Sequence, residues 1–419
     1  MRYNTHMSTL RHLHAHIQTY GTGQRPLFAV SAMIFFFVLF DGIITYLAPI
    51  ALVGGGLSES MMGIIIGSSS LAGIFFDLVI CRLFPNTNYR YVFLLMFVLA
   101  AILPLVMFGH HNIWLFLIAM AIWGFYYDLY NLGSMDFVGR ATAPASHSSS
   151  FGVLRVFDGL GYLIAPIVAS LVLVSTTPEE YAGSTLWLIL GLAFMCYLGA
   201  ISLKQHSFVE TTKRPMLGVL SEMHLWRKIG HILYPVLLLT FVLNIIDSTF
   251  WTIGPLFSEL IGINSGMLGG TFMVAYGIPP LLIGWFVGRV TGKMGKKRTA
   301  HIALLFGSSA LLFIGTIHTP VLLISVCFLG SFFLSATWPS VNGAYADYVQ
   351  ESHAYEKEIV TLQDAITNLG NIVGPILAGF SAEYLGYAQT FLILGIFGFI
   401  SALVLIVITP REIRVYINK

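Results

Sequence analysis

Three aspartates, Asp41, Asp128 and Asp247, stand in the middle of long apolar runs. A charge at the centre of a bilayer costs at least about 2.5–3.5 kcal/mol even on insertion scales, so such a group is kept for what it does. A carboxyl taken out of water favours its neutral form, which suits it to gain and lose a proton. In its charged form it can receive a cation. The neighbours fit both tasks. Asn244 lies one turn before Asp247 and Trp251 one turn after it, while Tyr126, Tyr127, Tyr130 and Asn131 flank Asp128. Aromatic faces attract cations, although the same tyrosines could satisfy Asp128 as a purely structural group.

A second set combines both signs. Arg155 and Asp158 are spaced i to i+3 and share a helix face. Asp364, Asn368, Asn371 and Pro375 form a stripe at helical spacing. Arg155 can pair locally with Asp158 or across to Asp364. A buried ion pair that fixes helix packing and a transport role both fit these residues. Asp136 and Arg140 close the end of one run and read as gate or topology charges. Cys81, Cys196 and Cys327 are scattered through apolar runs and read as packing residues, with neither disulfide framework nor metal-site spacing. His12, His14, His16 and the pair His110–His111 read as solvated tail and loop residues. No metal and no cofactor is expected.

The elements that carry these residues must cross an apolar phase. Of 419 residues, 57% are hydrophobic and 10% are charged, against about 25% charged in soluble domains. The net charge of +2 gives no global field to draw nucleic acid. A spanning helix needs ~20 mainly apolar residues. Twelve such runs lie near 27–53, 60–84, 90–109, 113–139, 150–174, 184–203, 231–257, 266–288, 299–317, 320–344, 361–382 and 387–408. The first run is too long for a signal-peptide core, so residues 1–26 read as a polar tail before the first transmembrane helix.

With the N-terminus placed inside, alternate connections collect 20 of the 21 basic residues on that side, and the remaining one, Arg155, lies within the fifth run. This is the positive-inside bias. It supports an even number of spans, both termini in the cytoplasm and a place in the inner (cytoplasmic) membrane. The expected organisation is a cytoplasmic tail over 1–26, a six-helix bundle over 27–203, a cytoplasmic linker over 204–230, a second six-helix bundle over 231–409 and a cytoplasmic tail over 410–419. Within the linker, Met216–Lys228 alternates apolar and polar residues and fits either an interfacial amphipathic helix or a disordered segment.

The two halves repeat. Asp41 and Pro49 match Asp247 and Pro255 at one offset, which also pairs Gly63 with Gly269. Gly161 and Pro166 match Gly370 and Pro375 at a nearly equal offset. Duplicated six-helix halves related by an axis along the membrane normal are a known transporter architecture.

The loop after the eighth run reads Gly284-Trp-Phe-Val-Gly288-Arg289-Val-Thr-Gly-Lys293-Met-Gly295-Lys296-Lys297-Arg298. It resembles the cytoplasmic-loop signature of the major facilitator superfamily, with Gly288 where that signature has Asp. The first-half copy keeps Gly73 and Asp77. Run eleven carries Gly370-Asn-Ile-Val-Gly374-Pro375, similar to a motif that members usually carry on helix five, where this chain keeps Gly161 and Pro166. The resemblance covers about residues 27–409. It implies an all-α membrane fold of twelve helices in two pseudo-symmetric bundles, with helices one, four, seven and ten around a central cavity. Asp41, Asp128 and Asp247 would then share one aqueous space. It also implies a cytoplasmic latch involving Asp77 and Arg289. Gly161, Gly370 and Gly374 would let helix backbones approach, and Pro166 and Pro375 would hinge them.

The expected function is secondary transport of a small solute by alternating access, coupled to protons, by a monomer surrounded by lipid. The surplus of acids, set among Trp and Tyr, suits a cationic or amphipathic substrate. The alternatives are an integral membrane enzyme acting on lipid and a non-transporting, transporter-like receptor or scaffold. The first would need a reactive cluster at one face, and Asp136, Arg140, Asp347 and Glu351 lack nucleophile or metal-ligand spacing. The second leaves costly mid-membrane acids without a purpose.

Overall fold

A computed structural model describes residues 25–83, 88–108, 112–142, 147–174, 178–203, 219–265, 269–351 and 355–410. Among them the chain forms twelve helices: α1 (Arg25–Gly54), α2 (Glu59–Leu83), α3 (Tyr89–Met107), α4 (Ile113–Ala141), α5 (His147–Leu173), α6 (Pro178–Ser202), α7 (Val219–Ser265), α8 (Thr271–Met294), α9 (Lys296–Ile314), α10 (Pro320–Glu351), α11 (Glu356–Leu385) and α12 (Tyr387–Ile408). Nine of these are long and apolar enough to cross a membrane, or ten if the two pieces of α8, bent by 63° between Gly284 and Phe286, count as one span. In α2 the apolar stretch is shorter, Glu59–Phe75. The protein is an all-helical, multi-pass integral membrane protein.

The helix positions follow the apolar runs, with one large departure. The 47 residues of α7 begin at Val219, so 219–228 continues the helix rather than lying apart from it. At ~1.5 Å per residue such a helix is about 70 Å long, far more than a ~30 Å hydrocarbon core. Its first turns must therefore project beyond the bilayer. Residues 1–24, 204–218 and 411–419 lie outside the described set, as do the histidines named above in the tail and the outer loop.

Tight ends are set by local chemistry. The side chains of Asn88 and Asn112 accept hydrogen bonds from the backbone of Arg90 (3.1 Å) and Trp114 (2.9 Å), capping α3 and α4. Gly295 turns α8 into α9 with φ of 85°, a conformation that side chains rarely adopt. This is the last glycine of the loop quoted above.

Two related contacts build the halves. In the first, Gly161 of α5 lies on α1, where an added Cβ would meet the Phe35 carbonyl at 2.9 Å and the Leu39 nitrogen at 3.0 Å. In the second, Gly370 and Gly374 of α11 lie on α7, where a Cβ on Gly370 would meet Asn244 Cβ at 2.5 Å and one on Gly374 the Ile245 carbonyl at 3.0 Å. Two matching contacts then join the halves. Gly63 of α2 abuts the Pro375 carbonyl of α11, and Gly270 before α8 abuts the Pro166 carbonyl of α5. Each motif helix is thus packed by glycine inside its own half and meets the other half at its proline.

Replacing Gly374 by Ala should lower the thermal unfolding midpoint of the detergent-solubilised protein, since overpacking against backbone costs about 1–3 kcal/mol. Gly199→Ala on α6, where nothing lies within 4 Å, should leave it unchanged or raise it. Equal behaviour of the two variants would remove the packing role given to Gly374.

Candidate functional site

Asp41 lies halfway along α1 and is only 2% exposed. Gly42, its neighbour, lets α5 come so close that a Cβ there would meet Ala165 Cβ at 2.6 Å and Tyr162 Cδ1 at 3.1 Å. The approach places Tyr162 beside the carboxylate. Three donors converge on it. Trp123 Nε1 (2.9 Å) and the Tyr126 hydroxyl (2.6 Å), both from α4, donate to Oδ1; the Tyr162 hydroxyl donates to Oδ2 at 2.7 Å. An unpaired buried carboxylate would be prohibitively costly, and three donors offset that cost.

Asp247 lies past the midpoint of α7 and is half-buried. The Tyr276 hydroxyl of α8 donates to its Oδ1 at 2.5 Å. Tyr276 is stacked on Phe250 at 4.1 Å between ring centres. Trp251, one turn beyond Asp247, contacts Tyr276 at 6.2 Å on one side and Tyr162 at 5.8 Å on the other. A chain of rings therefore runs from the Asp41 cluster to the Asp247 cluster, crossing between the halves at the Tyr162–Trp251 contact.

Asp158 accepts from the Tyr130 hydroxyl at 2.7 Å and, more loosely, from Arg155 at 3.4 Å. Of the two partners open to Arg155, the local one is formed, and its side chain is otherwise 71% exposed.

Other residues lie elsewhere than expected. Asp128 does not join Asp41 and Asp247: its Oδ2 faces Gly73 of α2, at 2.6 Å from an ideal Cβ there. Asn244 is buried at the α7–α11 contact and donates to the Thr240 carbonyl at 2.8 Å, a consequence of α11 closing on that face at Gly370. Asn131, Asn368 and Asn371 are partly buried, while Asp364 and Arg289 are exposed. Asp136 accepts from Arg140 at 2.5 Å and from the Tyr89 backbone nitrogen at 2.7 Å, pinning the start of α3 to α4. The second half repeats this device: Lys296 at the start of α9 meets Asp347 of α10 at 2.6 Å. Both acids anchor helix starts at the end of the bundle rich in basic residues. The side chain of Asp77 lies outside the described set.

The sequence reading did not find the groups that close the opposite end. Glu259 of α7 accepts from Tyr46 of α1 (2.6 Å) and Ser170 of α5 (2.8 Å). Glu383 of α11 accepts from the Ser60 backbone of α2 (2.9 Å), and Tyr387 of α12 donates to Glu59 at 3.1 Å. All four interactions run between halves. The described residues toward the basic end show fewer contacts of this kind between the halves. Below the Gly159–Leu281 and Gly67–Ile372 contacts, Arg155 and Asp364 are exposed, and Gly284, Gly288 and Gly292 face open space. Acids at run ends on the side without Lys or Arg were the one available signal for this seal.

A family model described as Major Facilitator Superfamily matches residues 30–356. Among curated proteins, the multi-drug resistance efflux pump PmrA homolog of Lactococcus lactis is 24% identical over 282 residues, spanning 66% of this chain and 67% of that protein. The quinolone resistance protein NorA of Staphylococcus aureus is 32% identical over 156 residues, spanning 36% of this chain and only 39% of its own length. Among solved structures, the nucleoside transporter NupG superposes with a TM-score of 0.73 at 14% identity, covering 93% of this chain and all of that one. A bacterial homolog of the human lysosomal transporter Spinster, in an inward-facing and unoccupied conformation, gives a TM-score of 0.68 at 13% identity, covering 91% of this chain and 96% of that one.

Tyr46→Phe removes a hydrogen bond to a carboxylate, worth about 1.5–3 kcal/mol, so the sealed end should open at least about tenfold more often. A single cysteine at Gly277, on the α8 face toward Leu163, should then react about that much faster with an impermeant thiol reagent added from the sealed face. An unchanged rate would show that these hydrogen bonds do not hold the seal.

Proposed function

As the chain belongs to the major facilitator superfamily, and is a transporter rather than an enzyme on that ground, we propose that it moves a small cationic or amphipathic solute by alternating access, driven by protons. The reading rests on one observation. The two mid-helix acids occupy related places in the two halves, and the ring chain through Tyr162, Trp251 and Tyr276 joins them across the interface. Hydrogen bonds between the halves at one end and exposed Arg155 and Asp364 toward the other support a cycle in which the halves rock about this level.

The chemistry divides between the acids. Asp41 is enclosed and each of its oxygens is held by a donor, so it takes a proton only when a donor leaves. Asp247 is half-buried, takes one donor from the Tyr276 hydroxyl and lies one turn from Trp251, a setting that also admits an organic cation. The names of the efflux pump and the quinolone resistance protein support an amphipathic solute moved outward. We further read the halves as 27–203 and 231–409, joined by a cytoplasmic linker over 204–230. The basic end would face the cytoplasm and both tails would lie there, in the inner membrane, as the positive-inside bias favours. Asp77, Arg289 and Asp364 remain candidates for the contact that closes that end, and the chain is taken to act as a monomer.

Proteoliposomes with an imposed pH gradient and ethidium as the solute test the proposal. Wild-type protein should accumulate the dye against its gradient. Asn is nearly isosteric with Asp but cannot titrate, so Asp41→Asn and Asp247→Asn should insert and fold yet lose pH-driven accumulation, with Asp41→Asn keeping exchange of preloaded dye. Wild-type accumulation by both variants and by the double variant, from about pH 5 to about pH 8, would make the carboxylates packing residues and overturn proton coupling.

A further inference from the structure

Three side chains donate to Asp41, and they differ in what else they touch. The Tyr126 ring packs on Phe37 and Phe40 of α1. Its neighbour Trp123 comes from the same helix. Both belong wholly to the first half. Tyr162 is different. Its hydroxyl holds Asp41 Oδ2 from within the first half, while its ring lies against Trp251 of the second. Moreover, Oδ1 accepts two donors and Oδ2 accepts Tyr162.

We propose that Tyr162 is a positioning residue that transmits the relative position of the two halves to Asp41, so that movement of Trp251 decides whether the Asp41 carboxylate keeps its third donor. This rests on the proton-coupled reading above and extends it to a specific link. With Trp251 in place, the Tyr162 ring is braced and its hydroxyl stabilises the charged carboxylate. When the second half rocks away, the ring loses its brace, the donor leaves Oδ2, and that oxygen takes a proton from the aqueous side. The reverse movement restores the donor and expels the proton. Nothing is oxidised, and one proton is gained and lost per cycle.

The other ionisable groups around Asp41, among the described residues, are distributed as follows. From α4 come Tyr126, Tyr127 and Tyr130, and from α5 Asp158 with Arg155. On α7, Asp247 lies one turn from Trp251, with Tyr276 of α8 on its carboxylate. At the sealed end are Tyr46 with Glu259, and Glu59 of α2 with Tyr387. Cys196 and Tyr197 of α6 lie toward the basic end, Tyr197 bonding to the Arg90 carbonyl. Of all these, Tyr162 both holds Asp41 and contacts the opposite half.

The test needs no substrate. Spin labels are placed at Gly139 of α4 and Gly292 of α8, basic-end positions in opposite halves with open space around them. The background lacks Cys81, Cys196 and Cys327. The distance distribution is measured in lipid nanodiscs from about pH 5 to about pH 8. Wild-type protein should shift between two distances with pH. Tyr162→Phe, which keeps the ring but not the donor, and Trp251→Leu, which keeps the donor but not the ring contact, should each lose most of that shift. Trp251→Phe should retain it. Tyr126→Phe should keep its full extent while moving its midpoint up by about one pH unit, as loss of one charge-assisted hydrogen bond requires. If Tyr162→Phe and Trp251→Leu respond fully while Asp41→Asn is flat, the Tyr162 link is wrong and proton coupling at Asp41 stands. If Tyr126→Phe also loses the shift, any donor would serve and the special place of Tyr162 is overturned. A full response in Asp41→Asn, or none in wild-type protein, would remove the coupling itself and this proposal with it.

Discussion

A carboxylate inside a transmembrane helix must find hydrogen-bond donors within the protein, because lipid supplies none. Asp41 meets that demand with Trp123, Tyr126 and Tyr162, and much of the local structure follows. The donors come from two helices, so α1, α4 and α5 have to converge at one level. Convergence at the α1–α5 contact requires small residues, and Gly42, Ala165 and Gly161 supply them. Asp247 imposes a similar demand on α7 and α8 through Tyr276. Removing the acids would relieve the demand altogether, which is why their presence is better explained by use than by stability.

In the proposed cycle the glycine–proline pairs would give the same interface a pivot. Each half buries Gly161 or Gly370 and Gly374 internally and offers the carbonyl of Pro166 or Pro375 to a glycine of the other half. Backbone meeting backbone needs no side chain to repack, so rotation about these contacts disturbs few interactions. The seal beyond them consists of a few hydrogen bonds to Glu259, Glu383 and Glu59. In the proposed cycle such bonds would be exchanged for water as that end opened. Asp136 and Asp347, by contrast, hold helix starts within their own halves and can persist through the movement.

The sequence carried the helices well, since spanning segments are set by length and apolar content. It left Val219–Lys228 open between a helix and a disordered segment, because polar residues hid the continuation of α7. Asp41 and Asp247 were legible because cost alone marks an acid at mid-depth. Their partners were not. Tyr126 and Tyr130 drew notice as neighbours of Asp128, yet they serve Asp41 and Asp158. Spacing along one helix says which residues share a face, but not which helix that face meets. The same gap misplaced Asp128, which faces Gly73, and Asn244, which α11 covers. The seal was overlooked because a glutamate just past an apolar run looks like an ordinary loop charge until a second helix is seen to bind it.

The central claim is that these two aspartates carry protons. Infrared difference spectroscopy of the protein in lipid, titrated from about pH 8 to about pH 5, observes the carboxyl groups themselves. The account predicts protonated-carboxyl bands that grow as pH falls, one missing in Asp41→Asn, another in Asp247→Asn and both in the double variant. Identical band growth in wild-type protein and the double variant would contradict it.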